Sequence, residues 1–309
     1  MKLKNYIKRK CRNMILNSDW YNSQFIDCKK FWDGFPMGLD VVNLGSSASV
    51  YAFNYEDVDK KCANWAMRPQ TLYADFLILQ NYCSYLKSGS VVLIPFCPFS
   101  SISSPRYLSK EVDRYYTILA GESIRPFDME KCRKMQDIKN NPKSYYPVKA
   151  LRKDWMCFFK RQKTCEYFIS QGQFEQNAES WVNCWKREFS ILDFSHPMRL
   201  HNKDMFETGV GIIREMIEFC IEREYKPVII VPPVTKQLAG KFSLLARDKY
   251  LYSFIKEGNV VGIPVLDYFD DERFQKDEWF RDSLFMNEIG AKVFTKKVLE
   301  DIQLLGERK

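Results

Sequence analysis

Histidine is the scarcest catalytic residue type in this chain, with His196 and His201 the only two among 309 residues. Its ten cysteines include no Cys-x-x-Cys pair, and none has metal-ligand spacing to a histidine. Structural zinc sites are built from closely spaced pairs of such ligands. The sequence therefore predicts no structural metal, and acid–base chemistry has few imidazoles to draw on.

The common nucleotide and metalloprotease signatures are also absent. The chain has no G-x-x-x-x-G-K-[ST], no G-x-G-x-x-G and no H-E-x-x-H. The first two motifs hold phosphates on a glycine-rich backbone, and the third binds zinc. A P-loop NTPase, a standard dinucleotide-binding enzyme and a zincin therefore have no support, and we expect no cofactor.

No apolar run approaches the roughly 18 to 20 residues that a helix needs to cross a bilayer. The first residues are charged, but no hydrophobic segment and no small-residue cleavage site follow them. Scattered cysteines in a chain without an export signal are typical of reduced, mostly buried thiols. The sequence thus predicts a cytoplasmic protein.

Apolar residues make up 46% of the chain and aromatic residues 15%, which favours a folded globular protein over a disordered one. The formal net charge is +8, and its most basic stretch is the start of the chain. We interpret that stretch as a solvated helix face. The alternative is weak contact with a membrane surface or another anionic partner through residues 1–12. No aromatic nucleic-acid motif accompanies it, so nucleic acid is not an expected partner.

Short apolar runs alternate with helical patterns through most of the chain. Strands are predicted within 40–44, 61–67, 91–96, 227–231 and 260–268, and helices at 71–87, 205–222, 236–257 and 288–304. Strands separated by helices are typical of a parallel sheet covered on both faces. We predict an α/β protein with a three-layer α/β/α, doubly wound parallel sheet in the flavodoxin-like order 2-1-3-4-5.

The alternation of strand and helix stops between residues 105 and 201. Helices are predicted there at 109–119, 148–164 and 178–191, among many aromatic residues. We interpret 105–201 as a helical cap inserted over the carboxyl ends of the strands, with most of its aromatic residues in its own core. Residues 1–36 are predicted to form an N-terminal helical extension, and 37–104 with 202–309 the α/β body.

The stretch 39–53, LDVVNLGSSASVYAF, joins a buried strand to a turn and a helix. Gly45 supplies the backbone freedom for a sharp exit from the strand, and Ser46 and Ser47 stand at the start of the helix. In an open α/β sheet, ligands bind outside the carboxyl ends of the strands, where free N–H groups can hold an oxyanion. A serine there is placed to act as a nucleophile. Equally, both serines are suited to cap the helix.

A second stretch, 280–299, pairs with the first. It contains the run Asp282-Ser-Leu-Phe285-Met-Asn287-Glu-Ile-Gly290. The Gly-Ser-Ser turn after the first strand and this late run together resemble the SGNH, or GDSL-like, hydrolase superfamily. In that superfamily the late motif is Asp-x-x-His, followed by Leu-Asn-x-x-Gly.

The resemblance implies a role for several residues. Ser47 would be the nucleophile and Asp282 its acidic partner. The oxyanion donors would be the Ser47 amide and an amide of the second strand block, from Ala66 or Asn64. Ser100 follows the third strand, where the superfamily usually has a Gly-x-Asn-Asp block. The other oxyanion or substrate-binding candidates are Gly45, Ser46 and Asn287.

Phe285 stands where the superfamily has its catalytic histidine. Serine is a poor nucleophile without a neighbouring base, so three alternatives remain open. The base is relocated to His196 or His201; or Asp282 acts directly on Ser47 or on a water; or the site is a binding pocket without turnover.

The resemblance implies ester chemistry on acylated carbohydrate or a small ester. The chain would be an esterase or an O-acyltransferase of bacterial surface-polysaccharide metabolism. The alternative is a catalytically inactive SGNH-like protein that binds a glycan or a partner protein.

Overall fold

A computed structural model describes residues 2–108, 112–141 and 173–307. The chain divides into two compact units. The smaller comprises Met1–Phe35 and Leu108–Glu166, and the larger comprises Pro36–Tyr107 and Tyr167–Lys309. Every candidate residue predicted from the sequence belongs to the larger unit.

The larger unit is built on five parallel strands in the order β2-β1-β3-β4-β5. They are β1 (Leu39–Asn43), β2 (Cys62–Asn64), β3 (Leu86–Pro95), β4 (Lys226–Val231) and β5 (Val265–Asp267). This confirms the predicted α/β class and strand order. The inner strands are short runs rich in valine and isoleucine, as expected where both faces of a parallel sheet are covered.

The described helices are α1 (Lys2–Leu16), α2 (Asp19–Phe25), α3 (Lys29–Asp33), α4 (Ser47–Ala52), α5 (Leu72–Tyr82), α6 (Val112–Tyr115), α7 (Met129–Asn140), α8 (Phe174–Glu188), α9 (Leu200–Glu222), α10 (Lys236–Ala239), α11 (Leu244–Arg247), α12 (Ser253–Gly258) and α13 (Glu288–Glu307). A π-helical turn, Asp248–Tyr252, joins α11 to α12.

Helices cover the sheet on both faces. Both faces carry apolar side chains that need to be buried, because successive side chains of a strand point to opposite sides. On one face, Leu93 and Ile230 pack in one apolar core with Phe53, beside α4, and Phe294 of α13. On the other face, α9 contacts β4, α5 and α12. The alternate strand residues such as Ile229 are fully buried between these layers.

Several predicted helices have other boundaries in the structure. The helix predicted at 236–257 is broken. Helix α10 ends at Ala239, and α11 begins after Ser243, whose Oγ caps it by accepting the Ala246 N–H at 3.2 Å. The helix predicted at 71–87 ends at Tyr82, since β3 begins at Leu86. The helix predicted at 148–164 lies outside the described residues.

The smaller unit contains α1, α2, α3, α6 and α7. Ser18 caps α2 by accepting the Tyr21 N–H at 3.1 Å. The Phe25 ring contacts the rings of Tyr21 and Trp32. Helix α8, predicted as part of the cap, belongs to the larger unit. The division into extension, body and cap stays a prediction.

Two kinds of feature are absent from the part of the chain that the structure describes. No helix there combines the length and the apolar character that crossing a bilayer requires. No group of three or more histidine, cysteine, aspartate or glutamate side chains is arranged to hold a metal ion.

Candidate functional site

A small polar cavity lies at the carboxyl edge of the sheet, with a volume of about 100 Å³. Gly45 after β1, Cys97 after β3 and Pro232 after β4 all line it. Its polar wall consists of Ser46, Ser49, Gln70, Asp75, Ser100 and Ser103. The strand order reverses between β1 and β3, which is where ligands bind in open α/β sheets.

The turn after β1 requires glycine. Gly45 has φ of 113°, a conformation that residues with a side chain rarely adopt. A Cβ atom at this position would lie 2.7 Å from the Cβ of Ser49 and would also overlap its Oγ. The turn is therefore packed directly against the first turn of α4.

Asp75 and Gln70 hold this turn, and sequence analysis missed both. The Gly45 N–H donates to Oδ1 of Asp75 at 2.7 Å, and the Gln70 amide donates to the same oxygen. The Gln70 amide also donates to the Gly45 carbonyl at 3.3 Å. The sequence signal for Asp75 was its position as a lone acidic residue in the otherwise apolar first half of α5.

Asp75 is the most perturbed carboxyl group at the cavity. Its side chain is almost fully buried, and this burial raises its pKa to about 7. The hydrogen bonds from Gly45 and Gln70 oppose that rise, because they stabilise the carboxylate. Asp75 is thus a group that gains or loses its proton near neutral pH while it shapes the Gly45 turn.

The two serines of the turn differ in their surroundings. Ser46 Oγ accepts the Gln70 N–H at 3.0 Å, so it ties the turn to the segment before α5 rather than capping α4. Ser47 is the first residue of α4 and is half-buried. Its Oγ has no hydrogen-bond partner among the described residues. The cavity wall includes Ser46 and Ser49 rather than Ser47.

Asn64 and Ala66, the candidate oxyanion donors, are bonded to each other. Asn64 Oδ1 accepts the Ala66 N–H at 3.0 Å, so this amide has no hydrogen left for an oxyanion. The same side chain donates to the Phe53 carbonyl at 3.1 Å and also reaches the carbonyls of Ser49 and Val50. Asn64 therefore fixes the end of α4 and the turn after β2.

Asp282 binds its own loop. Its Oδ1 accepts the N–H groups of Leu284 and Phe285, both at 2.8 Å. Burial raises the pKa of Asp282, while these two hydrogen bonds and the charge of Arg281 lower it. The carboxyl group thus shapes the loop that carries Phe285.

Phe285 belongs to an arginine–aromatic cluster, which we define as Tyr51, Arg68, Trp181, Arg281 and Phe285. The Phe285 ring lies 5.1 Å from the Tyr51 ring and 5.5 Å from the Trp181 ring. Both guanidinium groups approach Tyr51, at 5.2 Å for Arg68 and 4.4 Å for Arg281. Tyr51 is one helical turn from Ser47, so the cluster adjoins the predicted nucleophile.

Asn287 and Ser100 serve the local backbone. Asn287 Oδ1 accepts the Gly290 N–H at 3.0 Å, and its amide donates to the Glu278 carbonyl at 2.7 Å. The first bond caps α13 and the second ties the cap to the preceding segment, while the substrate-binding role of Asn287 stays a prediction. Ser100 Oγ accepts the Cys97 N–H at 3.0 Å and still lines the cavity.

The two histidines lie apart from these residues. His196 is exposed in the loop before α9 and lines a different cavity with Tyr250. His201 is exposed in the first turn of α9. Neither lines the cavity at Gly45 or contacts the arginine–aromatic cluster, which speaks against a relocated base.

A larger cavity lies at the opposite edge of the sheet. Its volume is about 620 Å³, and it lies between the amino ends of the strands, at Asp40 and Lys226, and the end of α13. It contains none of the candidate residues. We place the site at the carboxyl edge, because the strand order reverses there and polar side chains from several segments meet there.

No protein-family model matches this chain, and no curated protein matches its sequence significantly. We therefore infer function from the residues of the carboxyl edge.

Proposed function

We propose that this chain is an SGNH-like protein that binds a glycan or acylated carbohydrate at the carboxyl edge of its sheet and does not hydrolyse esters through a serine triad. The observation that carries this proposal is the position of Phe285. Its ring occupies the base position of the motif and packs between Tyr51 and Trp181.

A triad needs a base beside the serine and an acid that orients that base. Asp282 instead directs its Oδ1 to backbone N–H groups of its own loop. The chain contains only two histidines, and both are exposed away from Ser47. These facts favour binding without turnover.

The arginine–aromatic cluster suits a sugar. Aromatic faces pack against the apolar faces of sugar rings, and neighbouring donors bind the hydroxyl and acyl oxygens. Tyr51, Trp181 and Phe285 supply the rings, and Arg281 supplies donors. A glycan is therefore the proposed ligand class.

An esterase or O-acyltransferase is the second candidate. Two observations favour it: the Gly45 turn is held by a dedicated polar network, and Asp282 is a buried carboxyl group with a raised pKa. A carboxyl group of raised pKa is a better general base than an ordinary aspartate. In this case Ser47 would be the nucleophile and Asp282 would act without a histidine.

Intact-mass spectrometry after exposure to a fluorophosphonate probe distinguishes the two candidates. We expect no adduct on the wild-type protein, since such probes label activated serines. Phe285→His restores the Asp-x-x-His motif and is the positive control, with Phe285→His/Ser47→Ala as its matched negative.

A wild-type adduct that disappears in Ser47→Ala would overturn the binding-only proposal and favour the esterase. Calorimetry with an O-acetylated oligosaccharide and its deacetylated form tests the glycan itself. Wild type and Ser47→Ala should both bind, with at most the loss of one neutral hydrogen bond in the variant. Absence of binding to both forms by folded protein would count against the glycan.

A further inference from the structure

The arginine–aromatic cluster presents hydrogen-bond donors that have no acceptor in the described part of the chain. The Arg281 side chain has no hydrogen bond or ion pair there, and its guanidinium group lies over the Tyr51 ring. Ser47 Oγ also lacks a partner among the described residues. Both side chains are half-buried, so a ligand can reach them, and it must carry acceptors for both. Trp181 Nε1 has no partner in the described residues either, but it is buried out of a ligand's direct reach.

The charge of the cluster is positive. The guanidinium groups of Arg68 and Arg281 lie 5.2 Å and 4.4 Å from the centre of the same ring, and Arg68 donates to the Tyr51 hydroxyl oxygen at 2.5 Å.

Asp282 is adjacent to Arg281 in sequence, but the two form no ion pair in the part of the chain that the structure describes. The Asp282 Oδ1 is engaged instead by the N–H groups of Leu284 and Phe285. The Arg281 guanidinium group is therefore placed to pair with an anion that a ligand brings.

We propose that the arginine–aromatic cluster binds the anionic substituent, a carboxylate or a phosphate, of an acidic sugar. This inference rests on the proposed function, since it names the class of glycan that the same site takes. Arg281 is the specificity-determining residue, and Tyr51 and Trp181 are the aromatic surfaces for the sugar ring.

The chemistry of the side chains fits this ligand. A guanidinium group binds carboxylate and phosphate oxygens through two parallel N–H bonds, which a neutral hydroxyl cannot match. The Ser47 hydroxyl, one helical turn from Tyr51, adds a neutral donor. A neutral sugar would leave the Arg281 charge uncompensated, so the acidic sugar should bind more tightly.

Titrations of the full chain with four probes test the inference. The probes are glucose, glucuronate, glucose 6-phosphate and inorganic phosphate. Binding is followed by the indole N–H resonance of Trp181 in ¹H–¹⁵N spectra, assigned by its loss in Trp181→Phe. We expect glucuronate or glucose 6-phosphate to bind at least tenfold more tightly than glucose, with a preference that weakens as salt is added.

Arg281→Gln should reduce the preference for the acidic sugar to within about twofold, because it removes the paired donors and the charge. Arg199→Gln is the matched control, since Arg199 is exposed on another surface of the same unit and its loss changes the net charge equally. The preference should persist in that variant. Circular dichroism confirms that both variants are folded.

The outcomes separate the two proposals. Equal affinity for glucose and both acidic sugars would overturn the anionic ligand and leave glycan binding intact. Preference that survives in Arg281→Gln would also overturn the inference, because the anion would then bind elsewhere. If inorganic phosphate binds as tightly as glucose 6-phosphate, the cluster is an anion site to which the sugar contributes nothing, and the glycan is overturned as the ligand. No response to any probe would overturn both.

Discussion

The Gly45 turn and the loop 282–285 are held in different ways. The turn is bound by Asp75, 30 residues away in the chain, and by Gln70. The loop is bound by Asp282, which accepts N–H groups two and three residues ahead. The shape of the turn thus depends on the fold, while the shape of the loop is a local property.

The two segments should therefore tolerate substitution differently. Any substitution in the turn disturbs bonds to α5 and to α4, because Gly45 contacts both. The Phe285 side chain takes part in none of the hydrogen bonds that hold the loop. Different side chains can therefore stand at position 285 without loss of the loop's hydrogen bonds.

The largest expected effect breaks the turn. Gly45→Ala should lower the free energy of unfolding by about 4 kcal/mol, because it combines an unfavourable φ with overlap against Ser49. The measurement is urea unfolding. Gly38→Ala is the control, since Gly38 also has positive φ but no atom lies within 4 Å of its added Cβ. That variant should lose about 1 kcal/mol, and equal losses would contradict the packing argument.

The next effect concerns pH. Asp75 has a raised pKa of about 7 in the folded state. Between the ordinary pKa of an aspartate and pH 7, its carboxyl group is therefore protonated in the folded state and ionised in the unfolded state. Its contribution to stability is therefore fully present at acidic pH and is lost as pH rises towards neutrality. Between pH 5 and pH 8 this loss should be about 2.5 kcal/mol.

Asp75→Asn keeps an acceptor for Gly45 and removes the titration, so the pH dependence of thermal unfolding should flatten. Asp282→Asn is the matched variant in the loop. The pKa of Asp282 is also raised, so its replacement should flatten the profile in the same direction but less. A profile unchanged in Asp75→Asn would refute the assignment.

A smaller effect is expected in the loop. Phe285→Ala removes two ring contacts at a half-buried position, so the free energy of unfolding should fall by about 2 kcal/mol. Phe285→Leu retains apolar contact and should lose about half as much. If alanine has no effect on urea unfolding, the loop would not depend on its aromatic neighbours.

The smallest effect compares the two serines. Ser46→Ala leaves the Gln70 N–H without its acceptor and should destabilise the chain by about 1 kcal/mol. Ser47→Ala removes no hydrogen bond to the described residues and should change stability by less than about 0.5 kcal/mol. The same urea experiment tests both, and the reverse order would mean that Ser47 has the structural role.

The sequence predicts the sheet well because its signal is local. Apolar runs and intervening amphipathic segments identify β1 to β5, and the predicted order was that of the flavodoxin-like fold. The break at Gly240 within the predicted helix 236–257 was missed, since the apolar periodicity continues through it. Tertiary packing decides whether such a segment bends.

The site is only partly predictable for a similar reason. Glycine and serine at the turn follow from strand–turn–helix chemistry. The partners of Gly45 and the approach of Arg68 and Arg281 to Tyr51 are contacts between distant segments, which no periodicity encodes. Backbone amides assigned by motif, such as that of Ala66, proved to be bonded already.

Asn64 also determines how an edge of the sheet is aligned. Strand β2 is only three residues long, and its last residue pairs with Asn43 of β1. A slip of one residue would turn the Asn64 side chain to the opposite face of the sheet. It would then lose Asn43 and the carbonyls at the end of α4 together. One amide side chain thus fixes the register of an edge strand whose ladder is too short to fix it alone.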